Sequence, residues 1–330
     1  MNYKELNSAF KKINGWYESK TKVLTVKTRP FNSSIVFSNV INKILYDNGK
    51  ILYVWCSTNK ENISKKTREY YNILIGEQQK NNIGDNIKFI TIDKLIDEYD
   101  EYDLVIFDDI TIFSEVSKEE LRDSIQDIYW RSKKIIIYTC ENVFPIGSKM
   151  QLAYLLNNMP IAEPRFLSTR IKLEEDIPMV LYDYFRWFKE NKKRVLILVP
   201  SEEKLNKVYN HYYYTLRNDN IRAVKYIKEQ NFGFIEDILT NYSDSVFIIT
   251  NSIDDYINYI DSLNIVILFS DDISYSYKKI IYLCGCLKVN QEFLPEILLV
   301  SREISEDMDM AKNMTRGFNQ SLWERKLLKK

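Results

Sequence analysis

The stretch Tyr102–Ile110, Tyr-Asp-Leu-Val-Ile-Phe-Asp-Asp-Ile, constrains this chain more than any other. Its apolar residues run without alternation and stop at two adjacent carboxylates. An unbroken apolar run of this length suits a strand covered on both faces, as in a parallel sheet, because a half-exposed strand would alternate. In open α/β sheets ligands bind beyond the carboxyl ends of the strands, where Asp108 and Asp109 would lie. An acid pair there has two readings. It can hold Mg²⁺ and orient an attacking water, as in nucleotide hydrolases. It can equally turn the chain, since Asp favours the strand-to-loop turn.

The flanking segments set the architecture. Leu6, Phe10 and Ile13 predict a helix over residues 2–19. Strands at 22–27, 50–56, 86–91, 103–107 and 133–139 alternate with helices at 35–46, 59–79, 93–99 and 118–130, and residues 28–34 read as a loop. Asn48-Gly49 marks a helix end. Pro160 and Pro164 break the pattern, and residues 157–168 read as a connector. The alternation then restarts, with strands at 194–199, 221–226, 245–250, 264–269 and 296–301 and helices at 176–190, 202–216, 231–240, 254–262, 276–286 and 307–327. Such alternation predicts doubly wound parallel sheets. A chain of 330 residues holds two of these α/β units in tandem, 1–160 and 161–330.

Charge and cysteine content exclude some functions. Basic and acidic residues balance at 46 each, so nucleic-acid binding would need a local patch. Cys56, Cys140, Cys284 and Cys286 have no zinc spacing and are expected as buried free thiols. With no signal peptide and no apolar stretch of membrane-spanning length, the chain is expected in the cytoplasm without membrane insertion. A local patch does exist. Basic and aromatic residues interleave at 182–194 and at 209–228. Tyr213, Arg217, Arg222 and Lys225 are the nucleic-acid candidates, since rings stack bases and cations meet phosphates. The alternative is the solvated face of an amphipathic helix in a Tyr-rich chain.

The order of these segments resembles the two RecA-like lobes of superfamily 2 helicases, and more narrowly the ComFA-type late competence proteins, ATPases implicated in moving single-stranded DNA during uptake. Residues 23–37 align on the strand, phosphate loop and helix of that family, with Arg29-Pro30-Phe31-Asn32-Ser33 where the family has Gly-x-Gly-Lys-Thr. Asp108-Asp109-Ile110-Thr111 stands in place of Asp-Glu-Val-Asp, and Tyr138-Thr139-Cys140 in place of Ser/Thr-Ala-Thr. Residues 194–201 resemble the first strand of the second lobe, and Met308–Asn319 the closing helix. Where the acid-Arg-Gly motif belongs stand Ser252–Tyr256. Of the Gln-x-x-Gly-Arg-x-Gly-Arg motif only Gly285 remains. The amino-terminal four-cysteine zinc module of the family has no counterpart in this sequence.

The resemblance implies a P-loop NTPase fold with two RecA-like lobes. It implies ATP and Mg²⁺ as cofactors if the motor is active, with Asn32 and Ser33 on the nucleotide, Asp108 and Ser33 on the metal, and Asp109 on the water. It also implies single-stranded DNA and ComFC-like or other competence proteins as partners. The departures point away from catalysis. A phosphate loop needs glycines and a Lys, whereas Pro30 lacks an N–H, Phe31 is bulky and Asn32 carries no charge. Without its arginines, the second lobe cannot stabilise charge in phosphoryl transfer. The expectation is a helicase-like framework without motor chemistry that binds single-stranded DNA or competence proteins. An ATP-dependent translocase with non-standard motifs and a purely structural interaction module stand as alternatives.

Overall fold

The computed structural model describes residues 2–57, 86–153, 155, 159–227, 233, 235, 237–238, 244–253, 263–287 and 294–325. The chain forms two compact units, one of Met1–Asn158 with Ser321–Lys330 and one of Met159–Gln320.

The first unit opens with helix α1 (Tyr3–Glu18), capped by the Asn2 side chain accepting from the Glu5 N–H. Strands β1 (Val23–Lys27), β2 (Ile51–Trp55), β3 (Ile87–Thr91), β4 (Tyr102–Asp108), β5 (Ser132–Thr139) and β6 (Ser148–Gln151) form a parallel sheet in the order β3-β2-β4-β5-β1-β6. Helix α2 (Ser38–Tyr46) follows β1 through a 3₁₀ turn, and helix α3 (Lys118–Ile128) precedes β5. Leu104–Phe107 are completely buried, as the unbroken apolar run requires. Val105 and Phe107 pack in one cluster with Leu121, Ile125 and Ile128 of α3. Leu104, Ile106 and Asp108 therefore face the other side of the sheet.

The second unit contains β7 (Arg165–Ser168), α4 (Met179–Glu190), β8 (Arg194–Leu198), α5 (Glu202–Asn218), β9 (Arg222–Tyr226), β10 (Val246–Thr250), β11 (Leu263–Leu268), α6 (Tyr277–Cys286), β12 (Ile297–Ser301) and α7 (Glu306–Glu324). Its sheet is also parallel, ordered β7-β12-β11-β8-β10-β9. Leu181, Phe185 and Phe188 of α4 and Leu205, Val208, Tyr212 and Leu216 of α5 cover one face. Those positions recur every three or four residues, the helical period that buries one stripe.

The fold is thus α/β, with two parallel sheets flanked by helices, and several local expectations are corrected. The connector at 157–168 contains strand β7, and β6 was not expected at all. Both are short edge strands, and the polar Ser-Lys-Met-Gln of β6 gives no apolar run to read. Residues 92–97 form a 3₁₀ segment, not an α-helix over 93–99. The expected helix at 59–79 lies outside the described residues, as do that at 254–262 and most of that at 231–240.

Candidate functional site

Parallel pairing sets the carboxyl ends of β1, β5 and β4 side by side, with Lys27 opposite Thr139 and Tyr138 opposite Asp108. The loop after β1 therefore lies against β5 and the turn that follows the acid pair. The Thr28 N–H donates to the Thr139 carbonyl at 3.0 Å, and the Phe31 N–H donates to the Ile110 carbonyl at 2.8 Å. Phe31 reaches that carbonyl with φ at +57°, a left-handed conformation that is rare for a bulky residue.

Asn32 is buried and its amide is fully engaged. Its Nδ2 donates to Thr28 Oγ1 at 2.8 Å and to the Ala153 carbonyl at 2.9 Å. Its Oδ1 accepts from the Ser33 N–H at 2.9 Å and the Leu155 N–H at 3.0 Å. Ser33 is an N-cap, its Oγ accepting from the Ile35 N–H at 3.3 Å. The Ser33 carbonyl accepts from the Tyr138 hydroxyl at 3.1 Å.

Asp108 is 1% exposed, and each carboxylate oxygen has two donors. Oδ1 accepts from the N–H groups of Ile110 at 3.1 Å and Thr111 at 3.0 Å. Oδ2 accepts from Thr111 Oγ1 at 2.6 Å and from the Tyr53 hydroxyl on the neighbouring strand β2. Burial pushes the Asp108 carboxyl above the ordinary carboxylate range, and the Thr111, Tyr53 and main-chain donors pull it back only in part. Asp109 is buried beside it and accepts from Thr139 Oγ1 at 3.1 Å.

These residues do not fit a metal–phosphate group as arranged. A phosphate cradle needs main-chain N–H groups aimed at the ligand. Here those of Thr28 and Phe31 are spent on the Thr139 and Ile110 carbonyls, that of Ser33 on the Asn32 side chain, and Pro30 has none. A metal needs a carboxylate lone pair facing open space, but both Asp108 oxygens point into a four-donor cage. Among the described residues no cluster of three or more His, Cys, Asp or Glu side chains is placed to hold a metal.

The nucleic-acid candidates come together elsewhere, in the second unit. Tyr209, Tyr213 and Arg217 lie four residues apart, so they form a stripe one position beyond the buried stripe of α5. The helix ends in a left-handed cap: Asn220 has φ +56°, and the Ile221 N–H donates to the Leu216 carbonyl at 2.9 Å. This cap reverses the chain into β9 and brings Arg222 back beside Arg217. Tyr213, Arg217, Arg222 and Lys225, with Tyr209, line one groove of about 630 Å³. Tyr209 and Tyr213 have ring centroids 5.4 Å apart at 36°. Lys225 Nζ sits 5.6 Å from the Tyr209 centroid and donates to Asn206 Oδ1 at 3.1 Å. Among the described residues no carboxylate lines the groove.

Sequence reasoning missed several members of these sites. Thr111 had a signal, because an Asp followed three residues later by Thr is a common side-chain-to-main-chain turn. Tyr53 had none, because its nearness to Asp108 depends on β2 lying next to β4. Tyr209 follows from the four-residue spacing to Tyr213.

No protein-family model and no curated protein matches this chain. Among the described residues no helix is long and apolar enough to cross a membrane.

Proposed function

We propose that this chain is a tandem RecA-like, helicase-like protein of the ComFA kind that has given up coupled ATP hydrolysis. It acts by binding single-stranded DNA or protein components of a competence machinery in the cytoplasm. One observation carries the proposal: the N–H groups of Thr28, Phe31 and Ser33, the Asn32 amide and both Asp108 oxygens are each taken up by protein partners, and Pro30 has no N–H, so the groups that would hold phosphate and metal are already engaged. Two parallel α/β sheets are compatible with paired RecA-like lobes. Cys56, Cys140, Cys284 and Cys286 are all free thiols, which suits a reducing compartment.

Calorimetry with ATP and Mg²⁺ tests the reading. The expected result is no saturable heat at millimolar nucleotide for the full chain. Saturable binding that disappears in Asp108→Asn would overturn it and restore an ATP-dependent translocase.

A further inference from the structure

The groove between α5 and β9 is a built feature of the second unit, and its chemistry is specific enough to name an occupant. We infer that it seats an unpaired nucleotide of a single-stranded nucleic acid, with the base on the Tyr213 ring and the flanking phosphates on Arg217 and Arg222. This rests on the nucleic-acid reading above and gives it an address.

Size comes first. A volume of about 630 Å³ falls in the range of pockets that hold one small molecule, roughly 300–1,000 Å³. That accommodates a nucleotide unit, and stacking on a tyrosine ring takes a base that is not already paired and stacked in a duplex. Charge comes second. Arg217, Arg222 and Lys225 supply the ionised groups of the lining. Lys225 is held by Asn206 and the Tyr209 ring, so its charge is fixed in place and not trailing in solvent. The acidic residues of α5 lie at its opposite end, where Glu202 and Glu203 occupy the first turn.

The ring geometry comes third. Tyr209 packs beneath Tyr213 on the helix surface, and Tyr214 meets Tyr213 edge-on with centroids 5.6 Å apart at 78°. Tyr213 thus has two aromatic neighbours and still lines the groove, where its ring can stack a base. Arg217 lies one helical turn further along the same stripe, within the reach of a phosphate attached to a base on Tyr213. Ala223 and Val224 complete the wall from β9, the outermost strand of the sheet among the described residues. On such an edge strand every second residue turns its N–H and C=O away from β10. An acidic peptide added to that strand edge would use the same cations but has no need of paired aromatic rings.

The test is fluorescence anisotropy on the full-length protein. The probes are a labelled oligothymidylate, an abasic oligonucleotide of the same length, the matching duplex, thymidine monophosphate and an oligoglutamate peptide. Tyr213→Ala is expected to weaken oligothymidylate binding about tenfold, and Tyr213→Phe to leave it unchanged. The abasic strand is expected to bind the wild type about as weakly as oligothymidylate binds Tyr213→Ala, with no further loss in the variant. Arg217→Ala and Arg222→Ala are each expected to lower the salt slope by about 0.7. Thymidine monophosphate competing as well as the oligomer would assign the groove to free nucleotides instead of a strand. Strong strand binding that is indifferent to Tyr213→Ala and to both arginine variants would overturn the groove while leaving the functional proposal standing. Failure of every nucleic-acid probe would overturn both. Oligoglutamate binding lost in Arg217→Ala, without strand binding, would assign the groove to acidic peptides.

Discussion

At the scale of single residues, Asp108 shows how one side chain can occupy a catalytic-looking position and do structural work. Its place at the end of an apolar strand is legible from sequence. Its cage is not, because three of its donors come from the local Ile110–Thr111 turn and one from Tyr53 on another strand. Removing the carboxylate leaves several buried donors without acceptors, so Asp108→Ala is expected to cost roughly 3 kcal/mol in urea denaturation. Asn32→Ala is expected to cost roughly 2 kcal/mol by the same reasoning, since its amide ties four groups. The pH dependence has a definite sign. Because burial raises the Asp108 carboxyl in the folded state, folding favours its protonated form. The stability it contributes is complete below the unfolded carboxylate value and is lost as pH rises through the raised folded value. The stability of Asp108→Asn relative to wild type should therefore improve as pH rises through that window. Denaturation midpoints at a series of pH values check this, and a difference that moves the other way would mean the four donors outweigh burial.

At the scale of elements, sequence periodicity located most of what matters. The apolar runs of β4, β5, β8, β10 and β11 are visible because both faces of each strand are covered. The edge strands β6 and β7 carry mixed residues that pattern reading assigns to loop. The groove shows the same division. Tyr213, Arg217, Arg222 and Lys225 could be singled out as a basic-aromatic cluster. That they share one wall-to-wall space depends on the left-handed turn at Asn220, which no periodicity reports. Asn adopts that conformation at less cost than Ala, so Asn220→Ala is expected to cost about 1 kcal/mol and Asn220→Gly close to nothing. Thermal unfolding of the two variants measures the difference. The chain just before this turn is also braced from α4, where the Tyr182 hydroxyl donates to the Asp219 carboxylate and Lys189 Nζ to the Asp219 carbonyl. Tyr182→Phe should loosen this brace without touching the groove lining.

At the scale of the whole molecule, each unit has its own sheet and its own buried cluster, but the chain does not divide between them at a single point. The first unit recruits residues from Ser321 onward. Arg325 donates to the Glu5 carboxylate at 3.4 Å and to the Gln151 carbonyl at 3.1 Å, and Gln151 Nε2 donates to Ser321 Oγ at 3.0 Å. These bonds tie the carboxyl-terminal segment to α1 and to the edge strand β6. They are partly or fully exposed, so each contributes only a fraction of a kcal/mol to about 1 kcal/mol. A fragment of residues 1–158 should therefore fold, because the β4 core is intact, yet unfold about 1–2 kcal/mol more easily than the same unit in the full chain. A fragment of residues 159–320 keeps its sheet and the Asn319 contacts to the Ile161 carbonyl and the Glu163 carboxylate, and should unfold cooperatively on its own. Denaturation of both fragments beside the full chain, followed by circular dichroism, separates the cases. If fragment 1–158 matched the full-chain unit in stability, the carboxyl-terminal segment would be an ornament of the first unit. If the fragment failed to fold, that segment would be part of its core.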